Sequence, residues 1–197
     1  RLKKLLSYNL GKEGRQTTLR MELEIVKEYI ALQQMRYDFI IEMNIEDGSY
    51  LDQPTVRMLF QPLVENAIRY GLGDDEKISI QVFEDVARHL AVVTISDSGK
   101  GLNQEEIDEI NQPFDYDWGY WKNENRGIGL RYVKAMLESF YDGQTSLFVN
   151  SKKGFGTRIT ILLPVREPEE KKEKDKDKEV TLEENKVGQT DERIDCR

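Results

Sequence analysis

Four short segments, set between stretches of regular hydrophobic spacing, limit what this chain can fold into. The first is Gln61-Pro-Leu-Val-Glu-Asn-Ala-Ile-Arg-Tyr-Gly71. The other three bear glycines: Asp97-Ser-Gly-Lys-Gly101, Gly127-Ile-Gly-Leu130 and Gly154-Phe-Gly-Thr157. Any one of them says little, because short glycine patterns arise by chance and in ordinary turns. All four, in this order, are a far stronger constraint.

The spacing between them supplies the elements. Leu19, Leu23, Val26, Ile30 and Leu32 recur near helical period, with Glu22, Glu24, Lys27 and Glu28 between them, predicting an amphipathic helix over 17–37. Phe39, Ile41, Met43 and Ile45 alternate with Ile40, Glu42, Asn44 and Glu46, a strand that ends at Asp47-Gly48. Pro54 is expected to open the next helix, where a missing N–H costs nothing, and that helix carries Asn66 and ends near Gly71 and Gly73. Residues 77–83 and 90–96 are β-branched runs joined by polar residues, an expected antiparallel hairpin. A short helix over 103–111, a helix over 127–140 and strands over 145–150 and 157–163 complete the order. Between the two helices, 112–126 is irregular and dense in aromatics (Phe114, Tyr116, Trp118, Tyr120, Trp121), which reads as a lid. Segregated helices and mostly antiparallel strands predict an α+β fold, a two-layer α/β sandwich with a mixed, mostly antiparallel sheet packed on helices.

At 197 residues the chain holds one core domain with appendages. Its net charge of -8 excludes a nucleic-acid footprint, which needs a clustered excess of Lys and Arg. No apolar run approaches the roughly 20 residues that span a bilayer, so direct membrane contact is not expected, and residues 1–6 turn polar too soon for a signal peptide. The single cysteine, Cys196, allows neither an internal disulfide framework nor a Cys-rich zinc site, which suits a cytoplasmic domain. The first residue is not Met, which suggests a piece of a longer protein. Residues 166–197 are expected to form a charged, solvated tail, since they hold too little apolar surface to offset the entropy of ordering.

The chemistry of the four segments converges. Mg²⁺ prefers oxygen ligands and keeps water while bridging phosphates, so a protein need supply only one amide or carboxylate oxygen. Asn66 can supply it, with Glu65 beside it to orient a metal-bound water. Asp97 ends a strand, and a carboxylate there can accept the exocyclic amine of adenine, where guanine presents a carbonyl oxygen. Gly99 and Gly101 let the backbone approach the base. Gly127 and Gly129 sit where the lid meets a helix, so free N–H groups at that helix start can hold phosphate oxygens, with Arg126 and Lys122 adding charge. Thr157 can line the adenine pocket through its hydroxyl.

On these residues, 17–164 resembles the ATP-binding domain of sensor histidine kinases of the YesM/LytS-like type. Residues 61–68 look like that group's N box, and the segments at Asp97 and Gly127 like its two main glycine boxes. The resemblance implies the gyrase, heat-shock-chaperone, histidine-kinase and MutL fold, with ATP under a mobile lid. It implies Asn66 as the Mg²⁺ ligand, Asp97 as the adenine reader and Arg69 and Tyr70 flanking the nucleotide. Arg126, Gly127, Ile128, Gly129 and Leu130 form its phosphate box. It also implies that 1–16 is the remnant of a dimerising, phosphoacceptor hairpin, that 17–165 is the catalytic domain and that 166–197 is an appended tail. The intact kinase would be a homodimer, anchored in the membrane, passing phosphate to a response regulator. Three departures stand out: Arg69-Tyr70 replaces the commoner Lys-His, Asn125 replaces a glycine, and the acceptor histidine is absent. The one histidine, His89, falls in a strand connection and reads as an ordinary loop residue. ATP-hydrolysing members carry a Glu one turn before the Asn; Pro62 stands there and cannot activate water. An anti-sigma-factor-like serine kinase and a degenerate ATP-binding regulatory module are the alternatives on the same fold.

Overall fold

The computed structural model describes residues 2–9, 17–72, 77–111 and 128–166. The predicted lid and almost all of the tail lie outside these residues. The described residues up to 165 form one compact unit.

The main sheet has five strands: β2 (Ile40–Ile45), β4 (Lys77–Asp85), β5 (Leu90–Asp97), β6 (Ser146–Ser151) and β7 (Thr157–Pro164), in the order β2-β4-β5-β7-β6. Only β2 and β4 pair in parallel. Period-2 spacing puts Ile78, Ile80 and Val82, then Ala91, Val93 and Ile95, then Ile159, Ile161 and Leu163 on one buried face. Register turns this into apolar rows crossing every strand: Met43, Ile80, Ile95, Ile159 and Val149 form one, and Ile45, Val82, Val93, Ile161 and Leu147 the next. A third row begins Ile41, Ile78 and then breaks at Asp97, so the carboxylate occupies an inward-facing position where an apolar side chain would otherwise continue the row.

Helices α2 (Leu19–Gln33), α3 (Gln61–Tyr70) and α5 (Ile128–Phe140) contribute to the core with Leu23 and Val26, Leu63 and Val64, and Val133 and Leu137. Helix α2 starts where the Thr18 hydroxyl accepts the Met21 N–H at 3.2 Å. Helix α4 (Gln104–Asn111) is opened by a reciprocal cap: Asn103 Oδ1 accepts from the Glu106 N–H at 2.9 Å, and Glu106 Oε2 from the Asn103 N–H at 2.8 Å.

Pro54 does not open a helix. With Thr55 it forms the short strand β3 (Pro54–Thr55), paired antiparallel to β1 (Thr17–Thr18), and α3 begins at Gln61 with Pro62 in its first turn. The cause lies in α2. Glu22, 2% exposed, accepts the Met58 N–H at 2.9 Å and the Leu59 N–H at 2.7 Å. Met58 sits at φ 58, left-handed backbone that stops helical propagation from Pro54.

The same carboxylate ties down helix α1 (Leu2–Asn9). The buried Tyr8 hydroxyl donates to Glu22 and lies 2.9 Å from Thr17 Oγ1. Leu5 and Tyr8 pack with Ile25 of α2. Arg57 lies 4.1 Å over the Tyr8 ring and donates to the Tyr8 carbonyl. Burial raises the Glu22 carboxyl above its ordinary range, against the lowering pull of the Tyr8 hydroxyl and the backbone N–H groups at 58–60. Among the described residues no helix is long and apolar enough to cross a membrane.

Candidate functional site

A cleft opens between α3, the end of β5, the turn after it, α4 and α5. Helix α3 offers it Leu63, Asn66, Ala67 and Tyr70, the spacing that lines one helical face. No described residue hydrogen-bonds the Asn66 side chain. Helix α5 approaches it closely, since a Cβ added at Gly129 would stand 3.3 Å from Asn66 Nδ2.

Asp97 is the polar floor. Its Oδ1 accepts two backbone N–H bonds, from Gly99 and Thr157, each at 3.1 Å. Its Oδ2 accepts none from any described residue, and Asp97 lines the cleft. Burial raises the Asp97 carboxyl, and the two N–H bonds pull it partly back.

Backbone contacts build the ground beneath this carboxylate. A Cβ at Gly71 would meet Asp97 Cγ at 2.4 Å, and one at Gly99 would meet the Gly71 Cα at 2.4 Å, so the end of α3 and the β5 turn touch main chain to main chain. Gly156, at φ 84, sits where a Cβ would fall 2.0 Å from the Asp97 carbonyl oxygen. Ser151 locks the turns together: its Oγ accepts the Leu102 N–H at 2.8 Å and lies 2.9 Å from both the Gly156 carbonyl and Thr157 Oγ1.

The structure thus brings Asn66, Tyr70, Asp97, Gly101, Leu130 and Thr157 to one cleft, with Gly99 and Gly129 directly behind Asp97 and Asn66. It does not bring Glu65 or Arg69. These two pair with each other at 2.7 Å on the flank of α3. Glu65 also acts on Tyr29 of α2, whose phenol is pushed up to about 12, first by burial and then by that charge. Lys122, Arg126 and Gly127 lie outside the described residues; Ile128 opens α5. His89 sits in the turn between β4 and β5 at φ 53, away from the cleft. Sequence reasoning missed Gly71 and Ser151, and it passed over Lys100 and Arg131, which line the cleft. Gly71 and Lys100 stood inside the quoted segments; Ser151 and Arg131 carried no motif of their own.

Comparison with known proteins agrees with this geometry. The family described as histidine kinase-, DNA gyrase B-, and HSP90-like ATPase matches residues 51–167, and the family described as histidine kinase matches residues 1–40. The sensor protein kinase HptS of Staphylococcus aureus (strain bovine RF122 / ET3-1) is 29% identical over 165 residues, covering 83% of this chain and 31% of that protein. The chain therefore spans about a third of the length of that relative. Among solved structures, the catalytic domain of histidine kinase ThkA superposes with a TM-score of 0.56 at 17% identity, covering 76% of this chain and 93% of that one. The mycobacterial sensor histidine kinase MprB gives 0.53 at 18% identity, covering 78% and 98%. Likeness at that identity speaks for the fold.

Proposed function

Because this chain belongs to the histidine kinase-, DNA gyrase B- and HSP90-like ATPase family, we propose that its cleft binds Mg²⁺-ATP and serves as the catalytic domain of a two-component sensor histidine kinase. The γ-phosphoryl group would pass to a histidine on an upstream hairpin of the parent protein, and from there to a response regulator. The observation that carries this reading is Asp97: a half-buried carboxylate with one oxygen committed to backbone and the other left for a ligand, in the same cleft as Asn66.

The residues fit the roles. Asp97 Oδ2 would accept the adenine amine, while Ile95 and Ile159 line the cleft beside it to hold the ring. Thr157 fixes Asp97 through its N–H. Tyr70, with Lys100 5.5 Å over its ring, flanks the bound nucleotide. Among the described residues no cluster of His, Cys, Asp or Glu is suited to holding a metal by itself, so Mg²⁺ would enter on the phosphates with the Asn66 amide oxygen as the protein's ligand. Once bound, Mg²⁺ supplies neutralisation of phosphate charge.

In the transfer, the acceptor imidazole nitrogen forms its bond to the γ-phosphorus as the bond to the bridging oxygen breaks and ADP leaves. The protein's contribution is position and charge rather than covalent chemistry. Pro62, against which Gly129 packs, offers no base at the turn before Asn66, so water is left unactivated. Glu65, held by Arg69, would act at most through Asn66's helix. The parent kinase is proposed to be a membrane-anchored homodimer, with this domain on the cytoplasmic side.

The test is calorimetric titration of Mg²⁺-ATP into this chain and into Asn66→Ala, followed by incubation of the loaded chain with a separately supplied acceptor hairpin. Mg²⁺-dependent binding that Asn66→Ala weakens at least tenfold, and phosphohistidine on the hairpin, are expected. Binding without transfer would leave a regulatory nucleotide module, and no binding by the folded chain would remove the reading.

A further inference from the structure

We propose that Arg131 is the cation that receives the nucleotide's phosphate chain, an inference that rests on the nucleotide reading above. Arg131 is the fourth residue of α5 and lines the same cleft as Asn66 and Asp97. Its Nε is sealed from solvent and has no hydrogen-bond partner, and no described residue forms an ion pair with it. Arg131 as a whole is half-buried, but an Nε–H left in this state is costly, because it loses water without gaining an acceptor.

Its place on the helix adds to the cost. The first turn of a helix carries the positive end of the dipole, which disfavours a cation. Side chains on a helix also lean back toward its N-terminus, so the Arg131 guanidinium is carried toward the end of α5 where backbone N–H groups lack intrahelical acceptors. Both penalties reverse sign when a polyanion enters: the unpaired N–H gains an acceptor, and dipole and guanidinium pull together.

The other cations do not serve this end of the cleft. Arg69 is taken by Glu65 and stands off the cleft. Lys100 belongs to the Asp97 turn and lies over Tyr70, at the base end. Of the carboxylates that line the cleft, Asp97 is held by two N–H groups at the base end and Glu106 caps its own helix through Asn103. Neither neutralises Arg131. Helix α5 also passes beside Asn66 at Gly129, so phosphates bridged by a metal on Asn66 would arrive next to the same first turn. The guanidinium's planar fork suits two phosphate oxygens at once, which a lysine matches only as a point charge.

Titration of ATP with Mg²⁺, and separately of adenosine, into wild type, Arg131→Gln and Arg131→Lys tests this, with thermal melts to confirm folding. Arg131→Gln should weaken ATP by about tenfold or more while leaving adenosine unchanged, and Arg131→Lys should recover part of the loss. Equal ATP affinity in wild type and Arg131→Gln would overturn the inference with the nucleotide reading intact. An equal loss for adenosine would also overturn it, showing that Arg131 packs against the base or the fold. A wild type that binds neither ligand would remove the nucleotide reading and this inference together.

Discussion

Glu22 is buried and Asp97 half-buried, and burial raises the proton affinity of both carboxyls, yet they do opposite things. Glu22 has both oxygens engaged inside the protein, by Met58, Leu59 and Tyr8. Asp97 spends one oxygen twice and keeps the other for the cleft. The first is a structural knot joining α1, α2 and the turn into α3. The second, on the proposed reading, is a binding group held rigid on one side. What marks Asp97 as the candidate binding group is the acceptor left over, since the direction in which burial moves proton affinity is the same for both.

The sharpest way to break this contrast is Glu22→Ala. It strands the Met58 and Leu59 N–H groups, each worth about 1–3 kcal/mol when left buried and unpaired, and leaves the Tyr8 hydroxyl only Thr17 Oγ1, so urea denaturation should show a loss of about 3–5 kcal/mol. A loss below about 1 kcal/mol would mean that the turn at Met58 holds without its acceptor. Asp97→Asn should do the reverse: stability within about 1 kcal/mol of wild type, with ATP affinity down roughly tenfold to a hundredfold by calorimetry. Tyr8→Phe removes only one donor from the knot and is expected to cost about 1 kcal/mol, read from the same denaturation midpoint.

The smallest effect, in pH, separates stability from nucleotide affinity by sign. Each native carboxyl holds its proton to higher pH than the unfolded chain does, so in the window above the ordinary carboxylate range the native state binds more protons. Stability therefore falls as pH rises through that window. Nucleotide affinity should move the other way, rising as Asp97 ionises and can accept the adenine amine. Asp97→Asn should flatten the affinity profile and leave the Glu22 part of the stability profile in place; an affinity profile unchanged by Asp97→Asn would separate Asp97 from the bound base.

Much of this was legible in the sequence where the cause was local. Alternation in 77–83 and 90–96 and helical spacing in 127–140 predict β4, β5 and α5 because the buried face selects every second or every third to fourth residue. Asp97 was legible because it ends such a run at a glycine turn. Pro54 was misread because its fate is set by Glu22, whose contact with Met58 spans 36 residues of sequence. Glu65 was drawn toward the site by adjacency to Asn66 and Arg69 by the resemblance to the N box, but a helix turns about 100° per residue, and the two pair on the flank of α3 that acts on Tyr29. Ser151 had no signal at all, since a serine at a strand end becomes a lock only when Leu102, Gly156 and Thr157 are brought to it. The aromatic lid, with Trp118 and Trp121, falls outside the described residues.

The most direct test of the central claim, that the spare oxygen of Asp97 reads adenine, is calorimetric titration of ATP and GTP, each with Mg²⁺, into wild type and Asp97→Asn. The account predicts that wild type prefers ATP strongly and that the asparagine, able to donate to the guanine carbonyl, loses most of that preference. An ATP preference equal in both proteins would contradict it.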